Sequence, residues 1–291
     1  MVRPVAGTYS FDARVKGNST ESLSPVSAEL IWEVDGNRNV SDNIVDNARL
    51  SDGWILFELP SDVQPGNALI AAKDADGKIV WSWHIWVADF DPLTAYNNYG
   101  GVRVMDRVLG ASQPAPDYND LENTWKLAAG TLYQWGRKDP LIYDLLTNTS
   151  QYRFSSVESA IANPLTFAQG DYYWTEPFDQ TLWASDSKTK YDPCPLGWRV
   201  AKADVYNNMN HIQSHSPYGV VYEIDGVRVW YGFADYIHSQ GAYYVNQGSS
   251  FIWTSDIVDS YNGRSIQFDG GYWHSGNYYT DAYPVRCMKD E

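Results

Sequence analysis

Groups that carry common enzymatic chemistry are scarce in this chain. Its 291 residues include two cysteines, five histidines and four methionines, and the histidines are scattered along the sequence. There is no Gly-x-Ser-x-Gly elbow, phosphate-binding loop, dinucleotide fingerprint or His-Glu-x-x-His motif. We therefore expect a protein that is not an enzyme, with no catalytic residues, no metal site and no cofactor.

Positively charged residues are also few. Lys and Arg number 21 against 36 Asp and Glu, which gives a formal net charge of -15, and no local basic cluster offsets it. Such a chain repels phosphate backbones and anionic lipid heads, so nucleic acid is not an expected partner. Apolar runs are too short for a membrane helix, which needs about 20 residues. We expect no membrane insertion beyond a lipid anchor that has been removed.

The two cysteines, Cys194 and Cys287, lie in local contexts typical of structural positions. We expect a single disulfide between them, and the alternative is two buried free thiols. Closing a loop of this length contributes roughly 4 to 5 kcal/mol in the chain-entropy description. Neither cysteine has a Cys or His neighbour at the spacing of a zinc site.

The chain begins Met-Val-Arg-Pro, without an apolar signal region. This start fits either a cytoplasmic protein or an exported one whose signal has been removed. The cysteine pair favours export, so the expected location is the cell surface or outer membrane.

The first ninety residues show the period-two alternation of half-buried strands, for example Ala28 to Trp32 and Trp81 to Val87. Asp-Gly and Pro-Gly turns separate the strands, and Asp76-Gly77 predicts a hairpin between Ala68 to Lys73 and Lys78 to Val87. This pattern predicts an all-β, Ig-like sandwich over residues 1–90, acting as a spacer or docking domain.

Residues 91–291 combine helical and strand patterns, which predicts an α+β domain. Helical spacing covers Leu121 to Trp135, Ser155 to Ile161 and Lys202 to Ile212. The strand candidates follow at Val102 to Asp106, Val227 to Phe233, Ser250 to Ser255, Arg264 to Phe268 and Tyr283 to Met288.

Five segments of the second domain resemble the Fibrobacter succinogenes major paralogous domain and fimbrillin-associated surface lipoproteins. They are Met105 to Ala111 (MDRVLGA), Leu132 to Pro140 (LYQWGRKDP), Tyr191 to Val200 (YDPCPLGWRV), Phe251 to Ser255 (FIWTS) and Pro284 to Cys287 (PVRC). Leu23 to Trp32 and Trp81 to Val87 are similar to the module that often precedes this domain. The sequence departs from the family at Val200-Ala201, where Leu-Pro is common.

The resemblance implies a C-type-lectin-like fold in a ligand-binding cell-surface protein, in which the motif residues are mostly scaffold. Similar domains serve as variable proteins of diversity-generating retroelements, with changeable residues near the C-terminus. Sulfatase-modifying proteins share a broadly similar fold, yet they need reactive cysteines or a metal site that this chain lacks. The calcium-binding Glu-Pro-Asn or Gln-Pro-Asp tripeptide of many lectins is also absent.

The candidate binding surface is the Tyr, Asn, Ser and Gly-rich segment between residues 236 and 281. Aromatic rings give large contact area at low entropic cost, while small polar residues adapt their hydrogen bonds. We expect this adhesin surface to recognise a glycan or a host or bacterial surface protein. The predicted contact residues are Tyr243, Tyr244, Tyr261, Asn262, Tyr272, His274, Asn277, Tyr278 and Tyr279.

Three other interpretations stay open. The segment 236–281 is alternatively a Tyr-rich sheet with ordinary polar turns. The whole chain is alternatively a pilin-like structural subunit that pairs with fimbrial subunits by strand donation. A carbohydrate-active enzyme using a carboxylate pair, such as Asp256 and Asp259, is the third interpretation.

Overall fold

The structure is a computed structural model that describes residues 1–183, 186–233, 235–245, 247–269 and 271–290. Most regular structure in these residues is β, arranged in several small sheets that are nearly all antiparallel. The strands of the first ninety residues are β1 (Gly7–Asp12), β2 (Ser27–Asp35), β3 (Asp46–Ser51), β4 (Trp54–Leu59), β5 (Gly66–Lys73) and β6 (Ile79–Val87).

The first six strands form two three-stranded sheets, in the orders β1-β4-β3 and β2-β5-β6. The alternation read from the sequence places their apolar side chains between the sheets. Ile55, Phe57, Ile70 and Ile85 belong to that buried core. The predicted hairpin is confirmed, since β5 and β6 pair antiparallel from Gly66 opposite Val87. The prediction of a β-sandwich is therefore confirmed.

The rest of the chain continues with further short strands. They are β7 (Tyr96–Tyr99), β8 (Val102–Val108), β9 (Tyr133–Gln134), β10 (Asn148–Gln151), β11 (Thr166–Ala168), β12 (Trp198–Val200), β13 (Asn210–His215), β14 (Gly219–Ile224), β15 (Val227–Gly232), β16 (Tyr236–Ile237), β17 (Tyr243–Tyr244), β18 (Ser250–Ile257), β19 (Asn262–Phe268), β20 (Tyr272–Tyr278), β21 (Ala282–Tyr283) and β22 (Arg286–Lys289). Each of the five predicted strand segments coincides with one or two of these strands.

The sheets of this part have the orders β12-β22-β8-β7, β13-β14-β15, β17-β16-β21-β9 and β18-β19-β20, and β10 pairs with β11. The three-stranded sheet β18-β19-β20 separates two cores. One of its faces contributes Trp253 to a core that includes Trp135 and Tyr283. The opposite face contributes Ile266 and Phe268 to a second core.

Helices are shorter than the sequence pattern predicted. Helix α1 (Leu121–Thr124) passes into a 3-10 turn (Trp125–Ala128), so the helix predicted as far as Trp135 ends early. Helix α2 (Val157–Ile161) confirms the second prediction, and the side chain of Ser156 caps it by accepting from the Ser159 amide. Another 3-10 turn spans Tyr143–Leu145.

The helix predicted over Lys202 to Ile212 is wrong. Its first residues form a 3-10 turn, Ala203–Tyr206, and its last residues belong to β13. Strand β13 pairs antiparallel with β14, whose residues Val220 and Tyr222 are buried. Sheet pairing next to a buried strand has overridden a weak helical spacing.

Cys194 and Cys287 form the predicted disulfide, with a Cα–Cα distance of 5.9 Å. The bond ties the loop before β12 to β22, and both cysteines are buried in the core that contains Trp135. A disulfide of this kind indicates an oxidising, non-cytoplasmic compartment. In the described part of the chain, no helix is both long and apolar enough to cross a bilayer.

Contacts between the sandwich and the later residues include buried charged groups. Arg38 makes two hydrogen bonds to Asp235, and Lys138 donates to Asp139 and to the backbone carbonyl of Ser82. The Asn67 amide donates to the carbonyl of Gly110. Removing one partner of a buried ion pair is costly, so these contacts hold the two parts in one arrangement. The domain boundary between residues 90 and 91 stays a prediction.

Candidate ligand-binding face

The predicted contact residues lie at three separate places. Tyr261, Asn262, Tyr278 and Tyr279 lie around the turn between β18 and β19 and the end of β20, where Asn262 pairs with Tyr278. Tyr272, His274 and Asn277 lie along β20. Tyr243 and Tyr244 form β17, in a different sheet. The sequence predicted one surface, and the structure brings together only its first group.

Tyr261 and Tyr278 of that first group belong to a larger aromatic surface, the tyrosine patch, defined here as Tyr152, Tyr172, Tyr173, Tyr261 and Tyr278. Tyr152 joins the other rings through the guanidinium of Arg153. The ring of Tyr172 lies 4.7 Å from that of Tyr261 and 5.1 Å from that of Tyr278, measured between centroids. Tyr152 is 62% exposed, Tyr261 50% and Tyr172 37%. A contiguous exposed aromatic surface of this kind is typical of a recognition site.

The turn that carries Tyr261 is held by one carboxylate. Asp259 accepts hydrogen bonds from the backbone N–H groups of Tyr261 at 2.7 Å and Asn262 at 3.0 Å, and from the Asn262 amide. The Tyr261 N–H bond is the largest of the causes that lower the pKa of Asp259. The carboxylate therefore stays charged beside the tyrosine rings. The Asn262 amide is bonded to it, and a direct ligand contact of Asn262 stays a prediction.

Tyr172 occupies an uncommon backbone conformation, with a φ of 73°. A bulky residue in the left-handed region costs of order 1 kcal/mol or more and persists where the surroundings enforce it. The preceding residue, Asp171, accepts from the Gln240 amide and, through its carbonyl, from Arg153. These bonds hold the loop in the conformation that presents the Tyr172 ring to solvent.

Arg153 joins the patch to a small polar pocket. Its guanidinium lies 4.9 Å from the ring centroid of Tyr152 and 5.7 Å from that of Tyr173, and it pairs with Glu176. On its other side it lines a pocket of about 230 Å³ whose remaining lining is mostly amide and hydroxyl groups, namely Asn148, Gln151, Phe154, Ser155, Ser159, Asn163 and Thr166.

Tyr279 was predicted to contact ligand, and the structure places it in the core instead. It is 0% exposed, and its ring packs against Phe178 at 4.4 Å and against Trp135. The hydroxyl donates to the carbonyl of Asp259 and accepts from Gln180. Burial raises its pKa to about 12. The side chain packs beneath the patch and has no surface open to a ligand. The prediction that it contacts ligand directly is therefore wrong.

Tyr243 and Tyr244 lie apart from the patch. Tyr243 stacks on Tyr143 at 4.1 Å, and its hydroxyl donates to Asp235, the carboxylate that also holds Arg38 of the sandwich. Burial raises the pKa of the Tyr243 phenol. The residue therefore stabilises the contact between the two parts of the chain. Tyr244 is 37% exposed and stacks on Tyr236.

Side chains of β20 alternate between the two faces of its sheet, so Tyr272 and His274 lie on one face and Asn277 on the other. Tyr272 packs edge-on against Tyr222, and Asn277 accepts from the hydroxyl of Ser265. His274 is an exposed residue. Partial burial of its ring, together with the positive charge of Arg264, lowers its pKa. Trp273, which the sequence analysis did not include among the contact residues, is 52% exposed on the same strand.

Sequence reasoning missed three residues of the patch, Tyr152, Tyr172 and Tyr173. A signal for two of them was present, because Asp171-Tyr172-Tyr173 has the same aromatic and polar composition as the late segment. These residues are far in sequence from the segment 236–281, so the sequence did not indicate that they lie beside it. Only the fold places the loop before Trp174 against the β18–β19 turn.

Within the described ranges, no group of three or more His, Cys, Asp or Glu residues is placed to hold a metal ion. His211 and His215 both lie on β13. Asp256 accepts from the backbone N–H of Ala203, whereas Asp259 holds its own turn.

Comparisons with protein-family models, with curated proteins and with solved structures find no match to this chain. The resemblance to fimbrillin-associated surface proteins with a C-type-lectin-like domain therefore stays a prediction.

Proposed function

We propose that this chain is an exported, non-catalytic glycan-binding protein of a bacterial cell surface, and that the tyrosine patch with its adjoining polar pocket is the binding site. The Ig-like sandwich then acts as a spacer, and the C-type-lectin-like domain presents the site. This arrangement suits an adhesin, including one at a fimbrial tip or one diversified by a retroelement.

The observation that carries the proposal is the aromatic cluster formed by the exposed Tyr172 and Tyr261 with the half-buried Tyr278. The rings of Tyr261 and Tyr278 lie 4.7 Å and 5.1 Å from that of Tyr172. Exposed rings stack on the apolar faces of sugars, and each phenol supplies a hydrogen-bonding hydroxyl. The carboxylates of Asp259 and Glu176 lie close enough to Tyr173 to raise its pKa, after burial and Tyr261. Carboxylate oxygens are acceptors suited to the hydroxyl groups of a sugar.

The polar pocket favours a glycan over a protein surface as the ligand. At about 230 Å³ it is smaller than the pockets that enclose drug-sized ligands, and it has room for a unit the size of one sugar ring. Its amide and hydroxyl lining offers both donors and acceptors, as a sugar requires. Arg153 lies between pocket and patch, so a terminal sugar enters the pocket while the next units stack on the tyrosines.

A mixed glycan and surface-protein array tests this function. The wild-type chain is compared with the triple variant Tyr172→Ala, Tyr261→Ala and Tyr278→Ala. A matched control carries Tyr118→Ala and Tyr244→Ala, which remove exposed tyrosines outside the patch. We expect glycan binding by the wild type and the control, and at least a tenfold weaker signal from the triple variant.

Other outcomes are equally informative. If the wild type binds only surface proteins, and the triple variant does not bind them, the ligand of this site is a protein and not a glycan. Loss of binding in the control rather than in the triple variant moves the site to the surface around Tyr118 or Tyr244, and the two single variants decide between them. Glycan turnover by the wild type contradicts the non-catalytic part of the proposal.

A further inference from the structure

The tyrosine patch already holds one positive charge of the chain itself. The guanidinium of Arg153 lies over the ring of Tyr152 at 4.9 Å and over that of Tyr173 at 5.7 Å. The face of an aromatic ring carries negative potential and attracts a cation in this way. In the part of the chain that the structure describes, no other Lys or Arg lies over a ring of the patch. The exposed rings of Tyr172 and Tyr261 are therefore left without a cation.

Carboxylates outnumber cations at the edge of the patch. Asp171, Glu176 and Asp259 are exposed there, against the single cation Arg153. Glu176 pairs with Arg153, so the charges of Asp171 and Asp259 remain uncompensated by an ion pair among the described residues. Burial is the largest cause that raises the pKa of Tyr173, and Asp259 and Glu176 raise it further. The negative potential of these carboxylates therefore reaches the rings.

Asp259 has one carboxylate oxygen that is open to a ligand. Its Oδ1 accepts from the backbone N–H groups of Tyr261 and Asn262 and from the Asn262 amide. Within the described ranges, its Oδ2 accepts only from that same amide, at 3.2 Å. Each carboxylate oxygen offers about two acceptor sites, so Oδ2 is free to accept a further N–H. A charged N–H donor makes a bond to a carboxylate roughly twice as strong as a neutral pair makes.

We infer that the sugar unit that stacks on the tyrosine patch carries a free, protonated amine, so that the ligand is an amino-sugar glycan. This inference rests on the proposed function and names the ligand class of that site. The ammonium group lies against the exposed faces of Tyr172 and Tyr261 and donates to Oδ2 of Asp259. An N-acetyl group in place of the amine removes the charge, and a carboxylated sugar is repelled by the carboxylates at the edge.

The charge of the whole chain and the polar pocket both suit this ligand. A formal net charge of -15 attracts a cationic glycan from a distance and raises its rate of association. A lysine-rich protein segment offers the same positive charge. The pocket of about 230 Å³ beside the patch, however, has the size and the amide and hydroxyl lining that one sugar ring requires. An amino-sugar glycan therefore satisfies the patch and the pocket together.

Three soluble probes of equal length test this inference, namely hexamers of glucosamine, of N-acetylglucosamine and of lysine. Their binding is measured by calorimetry at pH 6, where the amines are protonated and the carboxylates at the patch are charged. We expect the chain to bind the glucosamine hexamer at least tenfold more tightly than either of the others. Added salt weakens that binding, because it screens exposed charges. The triple variant Tyr172→Ala, Tyr261→Ala and Tyr278→Ala must lose the preference.

The variant Asp259→Asn separates the charge from the turn. It keeps an oxygen acceptor for the backbone N–H groups and removes the negative charge. We expect the ratio of the affinities for the two sugar hexamers to fall at least fivefold. Glu176→Gln, which holds no backbone group of the turn, lowers the same ratio at least twofold. The matched control Asp62→Asn removes one exposed carboxylate of the sandwich and leaves the ratio unchanged. A disrupted turn weakens the binding of both sugar hexamers alike, so the ratio isolates the effect of charge.

Other results overturn the inference in distinguishable ways. Equal binding of the two sugar hexamers, lost in the triple variant, overturns the amino-sugar class and leaves the glycan site in place. Tightest binding of the lysine hexamer assigns the patch to a basic protein segment instead. A ratio that falls as much in Asp62→Asn as in Asp259→Asn reflects the net charge of the chain and not the patch. Binding of array glycans but of neither sugar hexamer overturns this inference alone, whereas binding of no glycan overturns the proposed function as well.

Discussion

At the residue scale, the candidate site depends on a few polar side chains that hold the tyrosine-bearing loops in place by hydrogen bonds. Asp259 organises the turn that carries Tyr261, and the Asp171 loop presents Tyr172 in a left-handed conformation. The composition of the late segment pointed to Tyr261 and Tyr278. The composition did not distinguish the half-buried Tyr278 from the fully buried Tyr279, because burial depends on the core against which each ring packs.

Asp281 gives a residue-scale prediction that depends on pH. Its carboxyl is 3% exposed and accepts from the Ser239 N–H. Burial raises its pKa to about 6, opposed by the nearby His238. The folded state therefore binds this proton more tightly than the unfolded state. The stabilisation is full below the ordinary carboxyl pKa of about 4 and is lost as pH rises to about 6.

The variant Asp281→Asn keeps an oxygen acceptor for Ser239 and does not ionise. Between pH 4 and pH 6.5 we expect its free energy of unfolding to rise relative to that of the wild type by about 2 kcal/mol, of the order set by the shift in pKa. Urea unfolding at several pH values measures this difference. A difference that stays constant with pH contradicts the assignment.

At the scale of elements, strands with clear alternation were predictable, whereas of the three predicted helices only α2 was confirmed. The β5–β6 hairpin follows from its Asp-Gly turn and its apolar period. The segment 202–212 has apolar residues at Val205, Met209 and Ile212, a spacing that suits a helix, yet pairing with β14 decides its structure. Likewise, the sheet β18-β19-β20 packs on both faces, and its contacts on either side are not visible in the sequence.

Gly263 on β19 tests how closely this sheet packs on the core. A Cβ added there lies 2.8 Å from Cδ1 of Trp135, a buried ring whose Nε1–H donates to the carbonyl of Thr254. We expect Gly263→Ala to lower the free energy of unfolding by about 1 to 3 kcal/mol, as overpacking does.

Gly276→Ala on the neighbouring strand is the matched control. Its added Cβ meets the exposed side chain of Val258 at 3.3 Å, and that side chain has room to move. Its expected effect is within about 0.5 kcal/mol of zero. Denaturant unfolding compares the two, and equal effects contradict close packing of Gly263 on Trp135.

At the scale of the whole molecule, the disulfide and the buried charges tie distant segments into one unit. The sequence supplied the disulfide and the β-sandwich, because two cysteines allow one pairing and alternation marks strands. The sequence did not predict the contact of Arg38 with Asp235, nor the contact between the Tyr172 loop and Tyr261. Both join residues far apart in sequence, and local patterns carry no information on such pairs.

Loss of the Cys194–Cys287 bond, whose cysteines are 93 residues apart, is expected to destabilise the fold substantially. The chain-entropy description gives about 4 to 5 kcal/mol for a loop of this length. Denaturant unfolding with and without reductant measures the loss, and the double variant Cys194→Ala and Cys287→Ala must be insensitive to reductant. A wild-type chain that unfolds at the same denaturant concentration under both conditions contradicts the prediction.

Hydroxyl-radical footprinting of the tyrosines, with and without the glycan captured on the array, tests the central claim most directly. The account predicts that bound glycan protects Tyr172, Tyr261 and Tyr152 from oxidation, while the equally accessible Tyr118 and Tyr244 react as before. Protection of Tyr244 or Trp273 with an unchanged patch would contradict it and would place recognition outside the patch.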